Sequence, residues 1–164
     1  MKQNEFSKCG HALSASDISA FEGSVAVQLP DAFKAHYLKF NGGMPTLDWF
    51  PMKDDWEPIW IHEFLPIAPR DRVPNSASGS TIQSVYASSA GKSGFSKSSV
   101  PFAIDPGGNL LCLSLADGSV HYWLHDVFDE TLTEAENRRK ATRQLTDSFE
   151  QFMDLLVTED DAFS

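Results

Sequence analysis

The sequence predicts an α+β domain in which helices pack against an antiparallel sheet. Three observations support this fold class: two amphipathic helical patterns before residue 44, short apolar segments separated by turn-forming residues from 100 to 124, and a capped amphipathic pattern from 148 to 156. Helices and strands that occur in separate runs are typical of α+β folds. At 164 residues the chain is long enough to bury a core, so we expect a single domain, 1–164, whose core lies between about 14 and 157.

Two helices are predicted in the N-terminal part of the chain. The segment 14–17, Ser-Ala-Ser-Asp, supplies N-cap side chains for the first helix, and Pro30 suits the first turn of the second. The sequence Asn-Gly-Gly at 41–43 ends the second helix, because glycine tolerates the left-handed backbone that follows a helix. Apolar side chains recur at helical spacing: Ile18, Phe21 and Val25 in the first helix, and Phe33, Tyr37 and Leu38 in the second.

Antiparallel strands are predicted in the middle of the chain. Three segments, 100–104, 110–115 and 120–124, are short, apolar and bounded by turn formers. The two turns between them contain Pro, Gly, Asn and Asp, so we expect the three strands to form a meander. A further strand is predicted at 59–65, and its neighbours predict a short one near Trp49.

The glycine-rich turns are not predicted to bind phosphate. A strand follows Gly107 and Gly108, whereas a phosphate-binding loop leads into a helix. The segment 90–93, Ala-Gly-Lys-Ser, lacks the glycine that a P-loop has five residues before Gly91, and Tyr86 stands at that position. We therefore expect no nucleotide cofactor.

Two segments beside the meander have weaker patterns. Residues 75–99 are rich in Ser, Ala and Gly around a small apolar island at 82–86, and this composition predicts a mobile surface loop. The charged segment after the meander leaves two alternatives open. Thr133 and Glu136 form a possible capping box for a short helix, but tertiary pairing could instead make 141–145 an edge strand.

The C-terminal part of the chain predicts one more helix. Ser148 and Gln151 form a capping box at its start. Its apolar stripe consists of Phe149, Phe152, Met153 and Leu156. Residues 158–164 are expected to be a frayed acidic tail.

The charge balance indicates the kind of partner. The chain has 23 acidic and 13 basic residues and a net charge of −10, which repels nucleic acid and anionic lipids and attracts a basic protein. We expect neither nucleic acid nor a membrane as a direct partner. The N-terminus lacks a hydrophobic signal core, and two cysteines are too few for a disulfide scaffold, so we expect a cytoplasmic protein with reduced thiols.

No catalytic or metal-binding constellation is predicted, so we expect no enzyme. His121 and His125 lie on one strand face but about 13 Å apart, too far to share a metal ion. Cys9 and His11 have the spacing of metal ligands but lack a second ligand pair. One alternative is a small hydrolase in which Cys112 acts as nucleophile beside His121 across the hairpin, although core packing explains the same cysteine more simply.

The segment 49–60 combines tryptophans with acidic residues. Its sequence is Trp-Phe-Pro-Met-Lys-Asp-Asp-Trp-Glu-Pro-Ile-Trp. Aromatic anchors surrounded by charge are typical of protein interfaces, in which carboxylates steer a basic partner. The alternative is that Trp49 and Trp60 belong to the core and that the acids are a solvated rim. On the first interpretation, the predicted partner-binding residues are Asp54, Asp55, Trp56 and Glu57.

Four stretches of the chain resemble a known family. They are Ile18, Phe21 and Glu22 followed by Leu29, Pro30, Phe33, Tyr37 and the sequence Phe-Asn-Gly-Gly at 40–43; 102–109 with Cys112 and Leu113; Gly118, Val120, Tyr122, Trp123 and Asp126; and Ser148, Phe149 and Phe152. Together they span 18–156 and resemble the SUKH superfamily, the bacterial immunity proteins related to the fungal Smi/Knr cell-wall regulators. The insertions at 75–99 and 129–140 are less typical of that family.

The resemblance implies an α+β fold and a non-enzymatic role. In bacteria this role is to bind and neutralise a cognate protein toxin, often a nuclease or a deaminase, by blocking its active site. The fungal relatives imply an alternative, a regulatory scaffold of the Smi/Knr type that binds host proteins. The motif residues themselves are chiefly turn and core positions, so the resemblance does not locate the interface.

Overall fold

The computed structural model describes residues 3–69, 76 and 78–164. Its elements are β1 (Phe6–Ser7), α1 (Ala15–Val25), α2 (Asp31–Lys39), β2 (Met44–Pro45), β3 (Trp49–Phe50), β4 (Ile59–Trp60), β5 (Glu63–Phe64), α3 (Ile82–Ser89), β6 (Ser99–Ile104), β7 (Leu110–Ser114), β8 (Val120–Trp123), α4 (Glu134–Ala141), β9 (Thr142–Thr146), α5 (Phe149–Leu155) and α6 (Glu159–Ala162). The central sheet is antiparallel in the order β5-β6-β7-β8-β9, and β1-β2 and β3-β4 form two small sheets. The predicted α+β fold class is confirmed.

The centre of the sheet is the predicted meander. Hairpins join β6, β7 and β8, and each observed strand ends within one residue of its predicted bounds. In the first turn the Asp105 N–H donates to the Asn109 carbonyl oxygen at 3.0 Å. Gly108 has a φ of 90°, in the left-handed region that favours glycine. The glycines therefore reverse the chain, as the strand pattern after them predicts.

One face of the sheet carries the main core. Side chains from α1, α2 and α5 form one buried cluster with the sheet, and the cluster is rich in phenylalanine. The ring centroid of Phe33 in α2 lies 4.9 Å from that of Phe149 in α5 and 5.9 Å from that of Phe102 in β6. The Tyr37 hydroxyl donates to the Leu65 carbonyl oxygen at 2.9 Å. The three helices predicted from apolar periodicity, α1, α2 and α5, are thus confirmed. The predicted cap residues Ser14 of α1, Ser148 of α5 and Thr133 of α4 each accept a backbone N–H through the side chain.

The prediction of a mobile loop at 75–99 is wrong for most of its length, although residues 75 and 77 lie outside the described part of the chain. Thr81 and Ser84 cap helix α3, and Ile82 is fully buried. After α3, Phe95 packs edge-on against Trp123 with centroids 5.1 Å apart, in a second buried cluster on the other face of the sheet. The composition of this segment suggested a loop because it contains few apolar residues. Two of those few, Ile82 and Phe95, are buried and are enough to hold the segment against the sheet, which its small Ser and Ala residues can approach closely.

Both alternatives for the charged segment after the meander describe part of it. The helix α4 occupies Glu134–Ala141, and the edge strand β9 follows at Thr142–Thr146 and pairs with β8. Antiparallel pairing places Arg143 opposite Tyr122. The capping pattern thus located the helix, and the sheet supplies the pairing that converts the next residues into a strand.

Two further predictions need correction. The segment 59–65 forms two strands in different sheets, because β4 pairs with β3 and β5 pairs with β6. The expected frayed tail contains helix α6, whose N-cap Thr158 accepts a hydrogen bond from the Asp161 N–H. A backbone bridge between Trp49 and Val157 holds this end of the chain against β3. Within the described ranges, no helix combines the length and the apolar content needed to cross a bilayer.

Candidate partner-binding surface

The tryptophans of the segment 49–60 lie on its outer side. Trp49 pairs with Trp60, and Phe50 with Ile59, across the β3-β4 ladder. Because successive side chains of a strand point to opposite faces, the pair Phe50 and Ile59 is buried in the core while Trp60 is 44% exposed. The interpretation of Trp60 as a core residue is therefore wrong, and that of Trp49 is only half right because its side chain is half-buried.

Packing and hydrogen bonds hold the tryptophan pair in place. The rings of Trp49 and Trp60 are nearly parallel, at 11° with centroids 6.1 Å apart. Phe163 packs edge-on against Trp49 at 5.2 Å, and the Trp60 Nε1–H donates to Asp48 Oδ2 at 3.0 Å. A surface built from rings that are already ordered loses little side-chain entropy on binding.

These rings form one wall of a groove, which we call the tryptophan trough and define by Trp49, Trp56, Trp60, Pro106 and Tyr122. The groove has a volume of about 470 Å³. Glu57 and Asp105 also line it. Its walls are thus aromatic and apolar, and its polar groups are carboxylates, an arrangement that suits a basic side chain.

The carboxylate of Asp54, one of the predicted partner-binding residues, is paired with a cation of the same chain. Asp54 Oδ2 forms an ion pair with the guanidinium of Arg143 from β9. The Arg143 Cζ also lies 4.5 Å from the centroid of the Trp56 ring, and the backbone N–H of Trp56 donates to Asp54 Oδ1 at 3.1 Å. Sequence reasoning missed Arg143, because it is distant in the chain and is brought to the loop only by the pairing of β9 with β8.

The predicted residues Asp55 and Glu57 differ from Asp54 in their contacts. Both side chains belong to exposed residues, and neither forms an ion pair in the part of the chain that the structure describes. Trp56 is 40% exposed although Arg143 covers one face of its ring. The structure therefore places all four predicted residues on one surface loop, with Asp54 engaged internally and Asp55 and Glu57 open to a partner.

Two residues that line the trough, Asp105 and Tyr122, belong to a hydrogen-bonded cluster. The Tyr122 hydroxyl donates to Asp105 Oδ2, and the Asn109 amide donates to the same oxygen at 3.0 Å. Burial raises the pKa of Tyr122, and the hydrogen bond to Asp105 raises it further, so the phenol is neutral and acts as a donor. The carboxylate of Asp105 thus accepts hydrogen bonds from Asn109 in the first turn of the meander and from Tyr122, and it also lines the trough.

The hydrolase alternative is not favoured by this geometry. Cys112 does lie opposite His121 on neighbouring strands, as predicted, but its side chain is 0% exposed. Burial raises the pKa of the Cys112 thiol well above its usual range, which disfavours the reactive thiolate. The His121 Nε2 instead hydrogen-bonds to the Ser99 hydroxyl at 3.0 Å, and burial lowers the pKa of this histidine.

Several histidines and carboxylates of the described ranges make contacts within the fold. His125 Nε2 hydrogen-bonds to the Gly107 carbonyl oxygen at 2.8 Å and so supports the first turn of the meander. In residues 3–69, 76 and 78–164, no three His, Cys, Asp or Glu side chains are grouped so that they could hold a metal ion.

Comparison with known proteins identifies a family. The family model described as SMI1 / KNR4 family (SUKH-1) matches residues 12–155, which include the five-stranded sheet and the loop with Asp54 and Glu57. A search of curated proteins finds no match.

Proposed function

This chain belongs to the SMI1 / KNR4 family (SUKH-1), and on that premise we propose that it is an immunity protein. It binds a basic protein toxin through the tryptophan trough and neutralises the toxin by covering its active site. The proposed toxin is a nuclease or a deaminase domain, classes of enzyme that expose basic surfaces to phosphate-bearing substrates. The proposed chemistry is steric and electrostatic, and it takes place where the immunity protein and the toxin meet inside the cell.

One observation carries this proposal: exposed, pre-ordered indole rings lie beside carboxylates that have no cation of their own. Tryptophan is enriched among the residues that dominate binding energy at protein interfaces. Trp56 and Trp60 are each about two-fifths exposed and line one groove, and adjoining exposed apolar side chains of this kind mark interaction sites. Asp55 and Glu57 add the charge that attracts a basic surface.

The predicted contact residues have different roles in the proposed complex. Trp56, Asp55 and Glu57 face the partner in this proposal, whereas Asp54 positions Trp56 through Arg143. The chain as a whole carries a net charge of −10, so the long-range field favours encounter with a cationic protein. Steering of this kind raises association rates by roughly 10- to 1,000-fold at low ionic strength.

The test begins with a toxin domain encoded beside the gene of this protein. Cells that produce that domain are expected to regain growth when this chain is co-expressed, and the purified pair is expected to form a complex that lacks toxin activity. A pair that neither binds nor restores growth would contradict the proposal. If the chain instead binds and modulates a host enzyme without protecting cells, the regulatory-scaffold alternative of the Smi/Knr type would replace it.

Association kinetics then test the surface. Replacing Asp54, Asp55 and Glu57 together with Ser should slow toxin capture and flatten its salt dependence. Because Asp54 is already paired, the double variant Asp55→Ser/Glu57→Ser should retain most of that effect, about three- to ten-fold in association rate at low salt.

The matched control is Glu130→Ser/Asp154→Ser. It removes the same charge from two exposed positions outside the trough. Equal association rates and equal salt slopes for the two double variants would show that only net charge matters, and would remove this loop from the proposed interface.

A further inference from the structure

We infer that the tryptophan trough recognises an arginine side chain of the partner, with the guanidinium laid on Trp60 and paired with Glu57. This inference rests on the proposed function, because it names the partner's chemistry at the same surface. It adds selectivity for arginine over lysine, which charge attraction alone would not produce.

One arginine of the chain itself, Arg143, already stacks on a tryptophan and pairs with a carboxylate, and we expect the partner's arginine to make the same two contacts. Arg143 places its guanidinium over the face of Trp56, 4.5 Å from the ring centroid, and pairs it with the carboxylate of Asp54. An indole face and a neighbouring carboxylate satisfy a guanidinium in two ways, since the plane stacks on the ring while the N–H groups donate to the oxygens. This part of the surface therefore already holds one arginine side chain.

The trough also offers a second indole and a second carboxylate, Trp60 and Glu57, that hold no cation in the described part of the chain. Trp60 is 44% exposed, with one face turned to the nearly parallel ring of Trp49 and its Nε1–H held by Asp48. Glu57 lines the same trough as Trp60. Across the described ranges, no Lys or Arg stacks on Trp60 or pairs with Glu57.

The shape and rigidity of the trough favour arginine over lysine. The volume of about 470 Å³ admits a long side chain, and the flat indole wall matches a planar group. An ammonium ion is a strongly hydrated point charge that must give up water to enter an apolar groove, whereas a guanidinium is weakly hydrated on its faces. Both cations would feel the same long-range attraction, so the difference arises only on contact.

The test uses the intact chain and two peptides of equal charge, acetylated and amidated hexa-arginine and hexa-lysine. Titration is followed by calorimetry and by the indole N–H resonances of ¹⁵N-labelled protein. We expect hexa-arginine to bind about three- to five-fold more tightly than hexa-lysine at physiological salt, in line with one cation–π contact. The indole resonances of Trp60 and Trp49 should move, and that of the buried Trp123 should not.

Two variants locate the contact. Glu57→Gln keeps the size of the side chain, and Trp60→Leu removes the ring at a partly exposed position, so neither is expected to prevent folding. Each should reduce the preference for hexa-arginine to less than two-fold, while Glu130→Gln, at an exposed position away from the trough, should leave it unchanged.

Equal affinity for the two peptides, or movement of the Trp56 resonance alone, would overturn the inference, because it would indicate charge attraction or competition with Arg143. These measurements need no toxin. Arginine selectivity without protection of cells would therefore contradict the proposed immunity function and leave this inference standing, whereas protection without selectivity would do the reverse.

Discussion

His36 should make the stability of this protein depend on pH. Its ring in α2 contacts the side chains of four phenylalanines, Phe6, Phe40, Phe64 and Phe149, with centroids 4.9 to 6.0 Å away. Its Nε2 is buried and has no hydrogen-bond partner in the described part of the chain. Burial, and to a smaller extent the neighbouring charge of Lys39, lowers the pKa of His36 from 6.5 to about 4.

The sign of the effect follows from proton binding. Between pH 6.5 and pH 4 the unfolded chain binds a proton at His36 that the folded chain does not bind, so acid favours unfolding. The contribution to the free energy of unfolding is complete above about pH 6.5, decreases through this window and levels off below about pH 4. The difference between the two pKa values corresponds to about 3 kcal/mol in total, of which about 2 kcal/mol is lost at pH 5.

Urea unfolding followed by tryptophan fluorescence at pH 7 and pH 5 measures this loss. The comparison is with His36→Phe, which keeps an aromatic ring in the cluster, and the adjoining groove of about 390 Å³ has space for the larger side chain. Between the two pH values, the wild-type protein should lose about 2 kcal/mol more than the variant. Other histidines whose pKa is lowered by burial, such as His121, are common to both proteins, so their contributions cancel.

Equal losses in the two proteins would refute the reasoning. That result would mean that the charged imidazole finds a partner in the folded state. Glu150 and Asp154 line the same groove as His36 and would be the first carboxylates to replace.

Three other predictions test the packing of the fold. Gly42→Ala should lower the free energy of unfolding by about 2 kcal/mol or more in urea titrations, because φ is 71° and a Cβ would lie 2.6 Å from a backbone nitrogen. The control Gly23→Ala, in open space on a helix, should raise the free energy of unfolding by about 0.5–1 kcal/mol. Equal effects of the two substitutions would contradict this prediction. Glu63 is fully buried and its two side-chain oxygens have no hydrogen-bond partner in the described ranges. Glu63→Leu should therefore raise the unfolding free energy by about 1–3 kcal/mol, and a decrease would reveal a partner for these oxygens. A thiol reagent should label the partly buried Cys9 but not the buried Cys112 in the folded protein, and both in denaturant; mass spectrometry that finds Cys112 modified without denaturant would reopen the hydrolase alternative.

Local patterns in the sequence were sufficient for much of the fold. Ser14, Thr133 and Ser148 each mark the start of a helix, because the capping hydrogen bonds of their side chains span only three residues. The meander was equally accessible, since the Pro, Gly, Asn and Asp residues of its turns act on the backbone of their own segment. The loop with Asp54 and Glu57 could also be recognised as a candidate surface, because its acids and tryptophans are neighbours in the sequence.

Other features depend on contacts between distant parts of the chain. Ile82 joins the main core, and Phe95 joins a second cluster on the other face of the sheet, only because the folded sheet offers them apolar surfaces. The strands β4 and β5 separate because each finds a different partner strand. The state of Asp54 is likewise decided by Arg143, which the β8–β9 pairing brings to Trp56. The sequence alone determined helices α1, α2 and α5 and the strands and turns of the meander, because those preferences act over a few residues. Only the tertiary structure decided which side chains are buried and which charges remain free, because burial and ion pairing depend on neighbours that no local pattern specifies.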